Sequence, residues 1–122
     1  MHKKYFGTVV YGLGKGRSFG FPTVNIKMNN SELSIDKGVY VVLTTIDSQL
    51  YKGMLYVGTR PTLDLQEITI EIHVLEFDKE IYDAQISFQI LQKIRDEIHF
   101  SSVETLIEQL HQDKKMVYEY FV

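Results

Sequence analysis

The chain has 122 residues, a formal net charge of −3 and no cysteine. That length supports one hydrophobic core rather than two. The missing cysteine excludes disulfides and thiolate metal sites, and the acidic balance provides no overall basic footprint for nucleic acid.

In chain order, residues 5–11, rich in aromatic and β-branched types, predict a first strand. The first residues, Met1 to Phe6, lack a long apolar run and do not read as a signal peptide. A glycine-dense stretch follows, then a short second strand over 23–28 and a turn cluster at Asn29-Asn30-Ser31-Glu32. Residues 38–46 predict a strong third strand. Asp47-Ser48-Gln49 is a break of hairpin length before a fourth strand over 50–57. Gly53 inside it marks a bulge or a close approach. Residues 58–65 predict a loop, 67–77 a long fifth strand, and 81–91 a sixth. Connections this short cannot hold crossover helices, so neighbouring strands are expected to be antiparallel.

One helix is expected at the end. Ser101 and Glu104 form a capping box, and Val103, Ile107, Leu110, Val117 and Phe121 recur at roughly helical spacing as a packing stripe. Six strands and one helix imply a closed or nearly closed β-barrel with the helix outside. The whole of 1–122 is expected to be one domain. No stretch approaches the ~18 apolar residues of a membrane helix, and a cytoplasmic monomer is the expectation.

Four glycines fall between Gly12 and Gly20, at Gly12, Gly14, Gly16 and Gly20, and Pro22-Thr23-Val24-Asn25 follows. Glycine lets backbone N–H groups approach an anion closely. Lys15 and Arg17 add positive charge, and Pro22 stiffens the exit. Thr23 and Asn25 alternate, so an extended segment points both to one side, as neutral oxygen donors suited to a hard cation such as Mg²⁺. The stretch is not a Walker loop, because no Lys-Ser/Thr pair follows its last glycine and the next residues read as strand.

On the fifth strand, Ile68, Ile70, Ile72 and Val74 share one face, and Thr69, Glu71 and His73 share the other. Glu71 is either part of a solvated outer face or a general base for a hydroxyl nucleophile. His73 reads as structural. His2, His99 and His111 have no ligand-like spacing, which argues against a zinc site. Arg60, Lys15, Arg17 and Arg95 are candidate phosphate contacts, with surface salt bridges as the alternative.

The pattern Gly14-x-Gly16-Arg17-x-x-Gly20-x-Pro22-Thr23-x-Asn25 resembles the signature of the ATP-dependent riboflavin kinases (flavokinases), with Val24 in place of the usual alanine. Further matches follow in order: Gly38-Val39-Tyr40, Gly58-Thr59-Arg60-Pro61-Thr62, Glu71-Ile72-His73 with Phe77, Ile81-Tyr82, Ile94-Arg95 with Phe100, and Asp113. The resemblance covers nearly the whole chain. It implies a six-stranded Greek-key barrel that converts ATP and riboflavin into ADP and FMN. It also implies a set of roles. Gly14, Lys15, Gly16, Arg17, Gly20, Pro22, Thr23 and Asn25 would lie on the phosphates, with Thr23 as a Mg²⁺ ligand. Glu71 would be the catalytic base. The segment 92–100, with Arg95, Ile98 and Phe100, would be a loop over the flavin.

His99 stands where the family often has a basic residue, and Asp83 where it often has glycine. Bacterial members are commonly fused to an adenylyltransferase domain, which this chain is too short to include. Two alternatives come from other classes. One is a flavin-binding regulatory barrel acting on an RNA or protein partner. The other is an oligonucleotide-binding barrel, disfavoured by the negative charge despite eight tyrosines and seven phenylalanines.

Overall fold

Alternation along the strands decides the architecture. On β3 (Gly38–Ile46), Tyr40, Val42 and Ile46 point into one buried cluster while Val39 and Val41 point into another. A strand apolar on both faces is covered on both, here by a barrel interior and by a helix. The computed structural model describes residues 3–10, 19–29, 35–61 and 66–122. Within it β1 (Lys4–Val10), β2 (Val24–Met28), β3, β4 (Gln49–Pro61), β5 (Gln66–Val74) and β6 (Gln85–Asp96) close into a barrel in the order β1-β2-β5-β4-β3-β6. Every neighbouring pair is antiparallel. β3, β4 and β5 follow one another, and β6 returns beside β3, which is the Greek-key order.

The interior holds Val9, Ile26, Val42, Leu55, Ile72, Val74, Ile86 and Phe88. Outside the wall, Phe21, Val39, Val41, Met54 and Leu75 pack against Leu110 and Val117 of α1 (Val103–Tyr120). The β3–β4 connection turns on Asp47 (φ 50°) and Ser48 (φ 67°). Positive φ at both central residues is the type I′ geometry whose twist suits a two-residue hairpin. Gly53 is a close approach: a side chain there would meet the His73 carbonyl oxygen at 3.0 Å and Ile72 Cγ2 at 3.1 Å.

Several expectations need correction. β4 continues through Pro61, so 58–61 is strand, held by pairing of Gly58 to Pro61 with Thr69 to Gln66. β6 begins at Gln85 and reaches Asp96, so 92–96 belongs to a ladder with β3 rather than to a loop. Register shifts between Val39 and Tyr40 and between Val41 and Val42 absorb the misfit, and these bulges hid the strand from a simple period-two reading. The helix cap is Ser102, whose Oγ accepts from the Thr105 backbone N–H, not Ser101. The packed stripe of α1 includes Leu106, Leu110, Asp113, Val117 and Phe121, while Val103 is 51% exposed. The glycine stretch through residue 18, residues 30–32 of the expected turn cluster and residues 62–65 of the expected loop lie outside the described residues.

Candidate functional site

β2 and β5 pair over only two positions, Val24 with Ile72 and Asn25 with Glu71. Upstream of Val24 the chain is held by side chains instead. Thr23 Oγ1 donates to Glu71 Oε1 at 2.8 Å. His73 Nδ1 lies 2.7 Å from the Pro22 carbonyl oxygen. Phe21 is 3% exposed beneath α1, its ring 5.2 Å from that of His73 and 5.0 Å from that of His111. Gly20 precedes them with φ 83°, a conformation other residues adopt only with strain.

Two cavities flank the Thr23–Glu71 pair. The larger, about 520 Å³, is lined by Thr23 and Asn25, by Val9 and Val10 of β1, and by the segment from Phe77 to Tyr82. The smaller, about 280 Å³, is lined by Glu71, Tyr56, Thr69, Arg95, Glu97, Ile98 and Phe100. Thr23 lines one cavity and Glu71 the other, and their hydrogen bond joins the two walls.

The donor direction bears on a cation. A hydroxyl that donates its proton to Glu71 keeps its lone pairs for a metal. Thr23 and Asn25 line the same cavity as neutral oxygen donors of the kind Mg²⁺ accepts. Among the described residues no group of three His, Asp or Glu converges as a metal cage. An ion here would complete its shell with water and phosphate oxygens, the usual Mg²⁺ arrangement.

Arg95 lies on the wall of the smaller cavity, but most of its hydrogen bonding is directed at the protein. Nε and Nη2 donate to the carboxylate of Asp113 at 2.8 to 3.1 Å, and Nη1 donates to the Asp96 carbonyl oxygen at 3.2 Å. Asp113 is fully buried and also accepts from Gln109 Nε2 at 2.9 Å. The guanidinium carbon stands 5.8 Å from the Phe100 ring centre, within cation–π range. Arg95 therefore fastens α1 to the end of β6 and supports Phe100.

Glu97 holds the following segment down: its Oε2 accepts from the Thr59 N–H at 3.3 Å and lies close over Gly58, where a Cβ would meet it at 2.7 Å.

The structure brings Pro22, Thr23 and Asn25 to the first cavity and Glu71, Arg95, Ile98 and Phe100 to the second. Gly20 stands at the start of the same segment. Gly14, Lys15, Gly16 and Arg17 lie outside the described residues, as does the side chain of Arg60. Sequence reasoning missed Tyr56, Thr69 and Glu97, and also the lining role of Asp78 to Glu80, which reads as an ordinary turn. Alternation places Thr69 on the face of Glu71, two positions away, but assigns it no role. Burial raises the pKa of the Tyr56 hydroxyl well above its usual range, with the charges of Asp113 and Glu71 adding and that of Arg95 opposing. Tyr56 is therefore a neutral wall of this site. Asp83, in the place of the family's glycine, adopts φ 63°, the left-handed backbone that explains glycine there.

The architecture is a closed Greek-key barrel with two cavities on either side of a hydroxyl–carboxylate pair. The chain belongs to the Flavokinase (riboflavin kinase) family, whose pattern it matches over residues 2–121. It is 34% identical over 118 residues to the bifunctional riboflavin kinase/FMN adenylyltransferase of Bacillus subtilis, covering 94% of this chain and 37% of that protein. It is 40% identical over 116 residues to an RNA-binding riboflavin kinase of the same organism, covering 94% of this chain and 50% of that one.

Among solved structures it superposes with a TM-score of 0.89 on a protein described as a macrolide-efflux protein from Streptococcus pneumoniae. That match is at 33% identity and covers 96% of this chain and 38% of that one. Riboflavin kinase from Trypanosoma brucei shares the fold, with a TM-score of 0.67 at 21% identity over 96% of this chain and 78% of that one. The chain spans half or less of the length of these Bacillus subtilis relatives.

Proposed function

We propose that the chain is an ATP-dependent riboflavin kinase domain that phosphorylates the terminal ribityl hydroxyl. The observation that carries this reading is the Thr23–Glu71 hydrogen bond at the junction of the two cavities. The nucleotide occupies the larger cavity. Its volume lies in the ~300–1,000 Å³ range of ligand sites, and the apolar walls of Val9, Val74 and Phe77 suit a planar base. The flavin occupies the smaller cavity. At about 280 Å³ it admits the ring system only when segment 97–100 swings outward, a gating motion common in such enzymes.

Thr23 and Asn25 would hold Mg²⁺ delivered with the nucleotide. When bound, it would supply positive charge against the phosphates. The glycine stretch, with Lys15 and Arg17, covers the phosphates. Glu71 orients the ribityl hydroxyl and takes its proton. The hydroxyl oxygen forms a bond to the γ-phosphorus, the bond from that phosphorus to the β–γ bridging oxygen breaks, and ADP leaves. Ile98 and Phe100 close over the isoalloxazine, with Arg95 beneath Phe100. The domain is expected to act as a cytoplasmic monomer; no helix among the described residues is long and apolar enough to cross a membrane.

The test is incubation with riboflavin, ATP and Mg²⁺ followed by chromatographic resolution of riboflavin from FMN. FMN formation supports the reading, and its absence with folded protein overturns it. The similarity to an RNA-binding riboflavin kinase favours a second reading, a flavin-binding barrel acting on RNA. Tight flavin binding without FMN, together with RNA retention on a filter, would identify it.

A further inference from the structure

The segment Phe21-Pro22-Thr23 crosses the outer face of β5 where the β2–β5 ladder has stopped. The ladder stops for a chemical reason, because Pro22 has no N–H to donate. Two side chains of β5 take its place. Glu71 and His73 are two residues apart and so share one strand face. Glu71 receives the Thr23 hydroxyl, and His73 reaches the carbonyl oxygen of the preceding residue, Pro22. A carbonyl oxygen can only accept, so His73 donates through Nδ1. The ring is 7% exposed and packs on Phe21, which is itself anchored under α1. Three consecutive residues therefore have three separate anchors, and the middle one depends on a single imidazole N–H.

We propose that His73 is a positioning residue of the transfer site, fixing the backbone of Pro22 so that the Thr23 oxygen stands between the nucleotide cavity and Glu71. The inference rests on the kinase reading above. His73 touches neither substrate; it acts through the peptide that carries Thr23. A buried carbonyl that loses its donor is left unsatisfied, and the segment relaxes toward another partner. Displacing a metal-ligating oxygen in this way weakens nucleotide binding and turnover and leaves the flavin cavity as it was.

The test compares two variants with opposite losses. His73→Phe keeps a ring against Phe21 and removes the donor. His73→Asn removes the ring and keeps Nδ2 at the same number of bonds from the backbone as Nδ1. Calorimetric binding of ADP with Mg²⁺, binding of riboflavin, and kcat and KM for each substrate are measured, with a thermal melt for each protein. In His73→Phe the expected result is about tenfold weaker ADP binding with Mg²⁺, the scale of one unsatisfied buried hydrogen bond, with riboflavin affinity within about twofold. His73→Asn should recover most of that loss.

A folded His73→Phe that binds ADP as wild type does, or a His73→Asn as defective as His73→Phe, overturns the proposal. If His73→Phe does not fold, His73→Asn decides alone: nucleotide affinity within about threefold of wild type supports the role, and a larger loss overturns it. If neither variant folds, His73 serves the fold and the proposal is wrong. A wild-type protein that neither binds ADP with Mg²⁺ nor makes FMN overturns the kinase reading and this inference with it. A wild type that does both, beside an unimpaired His73→Phe, overturns the inference alone.

Discussion

Thr23 Oγ1 donates to Glu71 Oε1 at 2.8 Å across 48 positions of sequence. Thr23 lines one cavity and Glu71 the other. In the proposed reaction the two groups therefore act as a unit. Glu71→Gln keeps size and hydrogen bonding but cannot take a proton at neutral pH, and a general base contributes roughly 10²–10⁴ in rate. The loose transition state of phosphoryl transfer puts the expected loss near ~10². Thr23→Val keeps the β-branched shape and removes one hard oxygen ligand, so turnover falls with little change in fold. The double variant should lose less than the product of the single losses, as expected of residues acting together. Measured kcat and flavin affinity for all four proteins, with thermal melts, check this. Turnover of Glu71→Gln within about threefold of wild type, well below a general base's smallest contribution, would remove the carboxylate from the mechanism.

The Arg95–Asp113 pair predicts a stability effect. Asp113 is fully buried, and Arg95 is 14% exposed. Removing one partner of a buried pair typically costs about 3–5 kcal/mol, whereas replacing both with apolar residues of similar volume is often neutral. Asp113→Leu should therefore lower stability by an amount of that order, and Arg95→Met with Asp113→Leu should recover much of it. Urea melts of the three proteins check this. An Asp113→Leu variant as stable as wild type would show that the pair does not fasten α1 to β6.

Hydrogen exchange separates strand from lid. Residues 92–96 pair with β3, so their amides should exchange slowly in the free protein. Residues 98–100 follow the strand without regular structure and should exchange quickly. With FMN at about 100 times its dissociation constant, added to protein already holding ADP and Mg²⁺, the later amides should slow by up to ~100-fold, the limit linkage sets for one site. Fast exchange at 93–96 in the free protein would restore the long-loop description. No change at 98–100 on saturation would remove the lid.

A pH effect follows from His73. Burial lowers its pKa below the ordinary 6.5, the Pro22 bond opposes this, and the charge of Lys114 on α1 adds to it. Below pH 6.5 the unfolded chain thus binds a proton that the folded chain refuses, and stability rises with pH there. This contribution is complete above 6.5 and is lost as pH falls toward the lower folded value. The melting temperature of wild type should fall between about pH 7.5 and 5.5, and that of His73→Asn should fall less. Parallel pH profiles for the two proteins would assign the acid sensitivity elsewhere.

The amino-acid sequence by itself determined the number and kind of elements. Six runs of β-branched and aromatic residues with connections too short for crossovers admit little except an antiparallel barrel. Residues 101–121 carry a cap and a helical stripe. It also determined the face shared by Glu71 and His73, because strand alternation is local. The family resemblance carried by Gly14 to Asn25 pointed to the chemistry proposed above.

Tertiary structure alone decided what depends on residues far apart in the chain. The extension of β6 through Asp96 rests on bulged pairing with β3, which local periodicity does not encode. The exchange of Arg95 from a bare flavin-edge cation to a clasp on Asp113 depends on α1 packing against the barrel wall. The joining of Thr23 to Glu71, and of Pro22 to His73, depends on where the β2–β5 ladder ends. A hydrogen bond forms between groups within about 3 Å of each other, and only closure of the barrel brings these pairs that close.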